Sequence, residues 1–185
     1  MMEQVHQVVL SHLDFDGQGQ LLDVGCGSGA LSIRAALTWR AAQVVGIDYW
    51  GSAYGYGQAM CEKNAASEGV PARCRFQHGD ANKLDFPDES FDAVVSNYVY
   101  HNITGADKRA LLQETLRVLK KGGVFALNDE MKHHMYGDME AFAQELRDIG
   151  YEDVRLIDTA QEAFGSRRRA AMMMLGDSRM LVGRK

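Results

Sequence analysis

The sequence predicts a doubly wound α/β domain: a mostly parallel, seven-stranded sheet with an antiparallel edge strand and helices on both faces. Three observations carry this expectation. Short apolar runs of strand length alternate with runs of helical spacing along most of the chain. The first strand run passes straight into three glycines at alternate positions and then into a helix, so the backbone must turn sharply there. Two short strand runs close the chain, an arrangement that reverses one strand at the edge of such a sheet.

Val5, Val8, Val9 and Leu13 have helical spacing, and Asp14–Gly19 is a turn-rich loop. Gln20–Val24 reads as a buried strand and Ala30–Trp39 as a helix; Gln43–Ile47 is the next strand. Gly57–Glu68 is a helix stopped by Gly69 and Pro71. Arg73–Gln77 and Phe91–Ser96 are strands, and Asp107–Leu119 is an amphipathic helix with Leu111, Leu112, Thr115, Leu116 and Leu119 on one side. Val124–Asn128, Val154–Ile157 and Met180–Gly183 complete the strands, with helices at Met139–Ile149 and Ser166–Leu175 between them. Residues 1–185 then form one domain: an N-terminal helix and loop (1–19), a core (20–130) and a part that closes the sheet (131–185).

Composition removes several function classes. At 185 residues, 46% apolar and with two prolines, the chain can bury a real core and is not a disordered linker. Cys26, Cys61 and Cys74 are odd in number and lack CxxC spacing, which argues against a disulfide framework or a zinc site and for a reducing, cytoplasmic setting. No apolar run approaches the roughly 20 residues of a membrane span, and no signal peptide pattern opens the chain. The net charge of −5 conceals a local +5 between Ser166 and Lys185. The acidic remainder argues against a nucleic-acid groove, and Arg167–Arg169 read as a solvated helix face.

The chemistry-bearing segment is Leu21-Leu22-Asp23-Val24-Gly25-Cys26-Gly27-Ser28-Gly29-Ala30-Leu31. Gly25 permits the turn, Gly27 lets backbone approach a ligand and Gly29 lets helix pack on strand. Asp48 lies 19 residues after Gly29, at a strand end, where a carboxylate can accept from both hydroxyls of a ribose. A nicotinamide-dependent oxidoreductase would instead need GxGxxG spacing and a hydride-transfer constellation, and neither is present.

LLDVGCGSGALSIRAA resembles the first motif of class I S-adenosylmethionine (AdoMet)-dependent methyltransferases, and VVGIDYW resembles their second. Gly79-Asp80-Ala81, the stretch from Leu84 to Asn97, and Leu116–Gly123 resemble three later motifs, in the same order, over about residues 20–130. GIDYWG and the ending LVGRK are similar to a bacterial subgroup. The resemblance implies a Rossmann-like fold and AdoMet as cofactor. Gly25, Cys26, Gly27, Ser28 and Gly29 would form the cofactor loop, with Cys26 a small filler and not a nucleophile. Asp23 would hold the amino group, Asp48 the ribose, and Tyr49 or Trp50 the adenine face. Asp80 and Ala81 would meet the adenine, Asn97 and Tyr98 the methionine part.

Methyl transfer from a sulfonium is a direct displacement, so positioning and water exclusion matter most and a strong base is optional. Acceptor-facing residues should follow the fourth and fifth strands. His101 is the candidate for acceptor contact or general base, because imidazole as a side-chain type suits proton exchange near neutrality, whereas Tyr100 reads as core. Asn128–Tyr136 reads as a polar loop partly covering the acceptor; its His133 and His134 are adjacent and would point apart, so no metal is expected. Met172–Met174 read as pliable core packing. The expected partner is a small-molecule methyl acceptor, with no nucleic acid, and the chain is expected to be a monomer or homodimer. An aminopropyl transferase-like enzyme and an inactive AdoMet-binding protein are the alternatives. Only about 20 residues precede the first strand, so no sizeable cap domain is expected on that side.

Overall fold

The computed structural model describes residues 2–51, 55 and 57–185. Its elements run α1 (Met2–Ser11), β1 (Gly19–Val24), α2 (Ala30–Thr38), β2 (Ala42–Asp48), α3 (Gln58–Ser67), β3 (Cys74–His78), β4 (Phe91–Asn97), α4 (Lys108–Arg117), β5 (Leu119–Glu130), α5 (His133–Tyr136), α6 (Met139–Asp148), β6 (Glu152–Ile157), α7 (Thr159–Phe164), α8 (Arg167–Met172) and β7 (Ser178–Arg184). A 3-10 turn at Tyr100–Asn102 follows β4.

The seven strands lie in the order β3-β2-β1-β4-β5-β7-β6. Pairs from β3 to β5 are parallel, and β7 is antiparallel to both β5 and β6. The antiparallel pairing therefore sits at the expected edge, and the strand that runs backwards is β7, one place in from it. Strand alternation divides the core between two faces. Leu21, Val44, Ala93, Val95 and Ala126 pack under α1, α2, α3 and α7, while Leu22, Val45, Val94, Phe125 and Leu127 pack under α4 and α6.

The helices form where capping and an apolar stripe coincide. The Asp107 carboxylate accepts from the Arg109 and Ala110 amides at the start of α4, whose Leu111, Leu112, Thr115 and Leu116 are buried. Asp138 does the same for Glu140 and Ala141 in α6, which buries Phe142, Ala143 and Leu146. No helix of the described residues is long and apolar enough to cross a membrane.

Three segments differ from the sequence reading. The expected loop at Asn128–Tyr136 is instead the buried end of β5 followed by the single-turn helix α5, because β7 pairs with β5 as far as Glu130–Ser178 and supplies the backbone partners that polar side chains alone do not signal. The helix expected at Ser166–Leu175 is shorter, and α7 precedes it, capped by the Asp158 carboxylate on the Gln161 amide. Met172–Met174 are not core. They stand 86, 44 and 81% exposed, because Ala170 is the residue of α8 that turns inward.

Candidate active site

Strand order reverses at β1: β2 lies on one side and β4 on the other. The chains leaving β1 and β4 depart differently, and a crevice remains beyond the carboxyl ends of the strands, where open α/β sheets bind ligands. A cleft of ≈ 690 Å³ occupies that place, lined from the glycine loop, the ends of β1, β2 and β4, and α1.

The loop after β1 is held rigidly. The Gly25 and Cys26 amides donate to the Ile47 carbonyl at 2.8 and 2.9 Å, so the loop starts as an extension of the sheet. Gly25 has φ +76°, and a Cβ there would lie 2.1 Å from Val99 Cγ2, so both its conformation and its close approach to the turn after β4 require glycine. The Gly27 amide donates to Asp48 Oδ2 at 2.9 Å, and its carbonyl accepts from the Trp50 indole at 2.8 Å and the Cys61 thiol at 3.1 Å. The Asn64 side-chain amide donates to the Ser28 carbonyl at 3.0 Å. These contacts fix the loop through the protein's own groups.

Three carboxylates face the cleft from successive strand ends. Asp23 is buried and accepts from Ser32 Oγ at 2.6 Å; burial pushes its carboxyl up to about 7, with the nearby Asp48 adding to the rise against the Ser32 bond. Asp48 Oδ1 accepts from the Trp50 amide at 2.7 Å, so each of its oxygens holds one backbone donor and keeps one lone pair free. Asp80 Oδ1 accepts from both the backbone and side-chain amide of Asn82 at 2.8 Å, which orients the carboxyl. Tyr49 is 64% exposed at the cleft and leans on His78, ring centroids 5.1 Å apart.

Gly25, Cys26, Gly27, Ser28, Asp23, Asp48, Tyr49, Asp80, Ala81, Asn97 and Tyr98 all line this one cleft. Gly29 does not line it; a Cβ on it would sit 3.0 Å from the Phe76 ring, so it serves helix packing. Trp50 is not on the wall either, since its half-buried ring is turned under the loop to bond Gly27. The Cys26 thiol is pushed up by its hydrogen bond with Cys61 and by burial.

His101 is not among the lining residues, although Val99 and Asn102 on either side of it are. Its Nδ1 bonds Asp129 Oδ1, and its amide donates to Asp129 Oδ2 at 3.0 Å. The Tyr136 hydroxyl donates to the same Oδ2 at 2.8 Å, and the Glu130 amide to Oδ1 at 2.7 Å. Asp129 is fully buried, and the His101 and Glu130 amides, the Tyr136 hydroxyl and the His101 ring supply its hydrogen-bond partners. Tyr100 is core, its hydroxyl 2.8 Å from Thr115 Oγ1. Asn97 and Asn128 are paired across the strands, Nδ2 of Asn128 donating to Oδ1 of Asn97 at 2.8 Å, and the Tyr98 hydroxyl sits 2.6 Å from Ser178 Oγ. None of Asn128–Tyr136 lines the cleft.

The sequence reading missed Asp129 as an organising residue, although two acids ending the apolar run Val124–Leu127 were a signal. It also missed α1. Met2 and His6 line the cleft, and the latter's imidazole is pushed down to about 4, first by burial and then by Arg34. Helical spacing with buried Val5 and Val9 shows that His6 turns inward, but not what it meets. Asn102, Ile103 and Thr104, from the turn after β4, complete that rim.

Residues 22–127 match the family described as the methyltransferase domain. The chain is 33% identical over 134 residues to 27-O-demethylrifamycin SV methyltransferase of Amycolatopsis mediterranei, which covers 71% of this chain and 46% of that protein. It is 33% identical over 132 residues to a sterol 24-C-methyltransferase of Aspergillus fumigatus, covering 71% of this chain and 33% of that one. The chain thus spans half or less of the length of these relatives. Among solved structures it superposes on the [4+2]-cyclase SpnF with a TM-score of 0.70 at 23% identity, covering 99% of this chain and 81% of that one, which is a likeness of fold. With the family match spanning the sheet from β1 to β5 and the acidic strand ends gathered around its glycine loop, the chain belongs to the methyltransferase domain family, and its cofactor is S-adenosylmethionine.

Proposed function

We propose that the chain transfers a methyl group from AdoMet to a small organic acceptor, leaving S-adenosylhomocysteine, and that residues 1–185 act as one catalytic domain. The observation that carries this reading is the convergence of Asp23, Asp48 and Asp80 with the glycine loop on a single cleft. Asp23 supplies the test of fit: a buried carboxyl raised to about 7 gains from a cation beside it, and AdoMet carries an ammonium group.

When bound, AdoMet supplies an electrophilic methyl on a sulfonium. In this reading Asp23 and Asn97 hold the methionine end, with Tyr98 beside them. Asp48 accepts from the ribose hydroxyls through its free lone pairs. Asp80 and Ala81 meet the adenine edge, Tyr49 its face, and Trp50 acts on the ligand only by fixing Gly27. His101 keeps Nδ1 on Asp129, which leaves Nε2 as the nitrogen able to take a proton. His6, neutral near pH 7, adds a polar wall without adding charge next to the sulfonium.

The relatives named above support small organic acceptors without selecting one, since one acts on a rifamycin and one on a sterol. They come from a bacterium and a fungus, so the proposed bacterial subgroup rests on GIDYWG and LVGRK alone. Three free cysteines fit a cytoplasmic setting. The test is calorimetric titration with AdoMet and S-adenosylhomocysteine, followed by an acceptor screen read by S-adenosylhomocysteine release. Binding of both cofactor forms with turnover on at least one acceptor is expected. Tight binding of NAD with no affinity for either would overturn the reading, and cofactor binding with inert chemistry across the screen would favour an inactive binder.

A further inference from the structure

Seven large apolar side chains stand exposed among the described residues, and three of them are consecutive: Met172, Met173 and Met174. Met172 ends α8 and Met173 and Met174 follow it; the helix's first residues Arg167, Arg168 and Arg169 are also exposed. Arg167 is paired with Asp158 at 2.6 Å, and no salt bridge reaches Arg168 or Arg169 among the described residues. The segment is built, not frayed. Its Ser166 hydroxyl caps the Arg169 amide at 3.2 Å, and Ala170 is buried. Met174 takes φ +62°, which lets the Leu175 amide return to the Ala170 carbonyl at 2.9 Å and that of Met174 to Ala171 at 3.0 Å. Leu175 therefore packs inward against the core while the methionines are held out.

This segment lies at the end of the sheet that carries the cleft. β7 leaves it at Ser178, which pairs in register with Glu130, the last residue of β5. The Ser178 hydroxyl meets that of Tyr98 on the cleft wall. Through α7 the segment also adjoins α1: His12, directly after α1, is 2.7 Å from Glu162 of α7, and α1 carries the lining residues Met2 and His6.

We propose that Arg167–Met174 is a docking surface for an anionic lipid bilayer. Arginines beside flexible apolar side chains match a surface with anionic headgroups over hydrocarbon: the guanidiniums meet lipid phosphates while the methionines enter the acyl boundary. Charge sets the orientation. The residues before Ser166 sum to −10, so the body is repelled from such a surface and only this face is drawn to it. A nucleic acid would match the arginines but offers the methionines nothing to enter. A two-fold pairing of the segment with its own copy would set arginine against arginine. Docking of this size is reversible, and it places the rim of the cleft next to the membrane.

The test is co-sedimentation of the full chain with phosphatidylcholine vesicles, with and without phosphatidylglycerol, at low and high salt. Binding is expected only with the anionic lipid, and weaker in salt. R168E with R169E should lower partitioning on the order of 30-fold or more, taking the two lost charges alone. M172D with M174D should lower it as well, and both variants should keep the thermal midpoint because the altered side chains are exposed. Equal binding to neutral vesicles, binding unaffected by either variant, or no vesicle binding at all would each overturn the proposal. So would a dimer in sedimentation velocity that M172D with M174D dissociates while the monomer ignores vesicles, or duplex DNA binding that needs the arginines but not the methionines.

Discussion

The amide of Gly27 donates to Asp48 Oδ2 at 2.9 Å, so the loop after β1 and the end of β2 form one hydrogen-bonded unit. Asp48 thus has two tasks in one carboxylate. Asp48→Ala should cost roughly 1.5–3 kcal/mol of AdoMet binding, or about 10- to 100-fold in affinity. Asp48→Asn, which can keep one acceptor oxygen for the loop, should lose less. Calorimetry on both variants checks this, and unchanged affinity in a folded Asp48→Ala protein removes Asp48 from the ribose site.

Asp23 makes cofactor affinity depend on pH. Its carboxyl titrates at about 7 in the folded protein against 3.8 ordinarily, so the folded state keeps a proton that the unfolded state releases. Its contribution is therefore most favourable below the unfolded value, declines as pH rises toward 7 and is flat above. A bound cation reverses the preference and favours the carboxylate. AdoMet affinity should rise about 10-fold between roughly pH 6 and 8, with proton release on binding. Asp23→Asn should flatten that slope; a slope that persists in this variant belongs to another group.

Gly25 tests the packing of the loop against the turn after β4. Gly25→Ala puts a methyl 2.1 Å from Val99 Cγ2 on a left-handed backbone. Strain and overpacking together should destabilise the fold by about 2–4 kcal/mol and displace the loop. Chemical denaturation measures the first effect and cofactor titration the second. Val99→Ala in the same chain should recover part of the stability but not the cost of the positive φ.

His101 and Asp129 give a kinetic prediction. If Nε2 takes the acceptor proton, His101→Ala should lower turnover by about 100-fold or more while AdoMet affinity stays nearly constant. His101→Gln should not recover it, and Tyr136→Phe, which removes one donor from Asp129, should shift the pH profile of turnover. A loss confined to the acceptor's KM would make His101 an orienting residue. A fall in thermal midpoint matching the loss of turnover would make it structural.

The local pattern of the chain determined the elements and the cofactor loop, because both depend on neighbours in sequence. A glycine at every second position after an apolar strand leaves the backbone few alternatives, and Asp23, Asp48 and Asp80 were legible because each lies within two residues of a strand's end. Only the tertiary structure decided what lies across from what. Trp50 and Tyr49 are adjacent in the chain, yet one turns under Gly27 and the other faces the cleft, a choice made by a hydrogen bond to a residue 23 positions away. Asp129 became the buried partner of His101 because β5 lies beside β4 and β7 extends its pairing to Glu130; no periodicity encodes that neighbour. Met172–Met174 show the same limit from the other side. Their apolar side chains predict burial, but Ala170 and Leu175 took the inward positions, and a chain that reverses at Met174 left the methionines facing out.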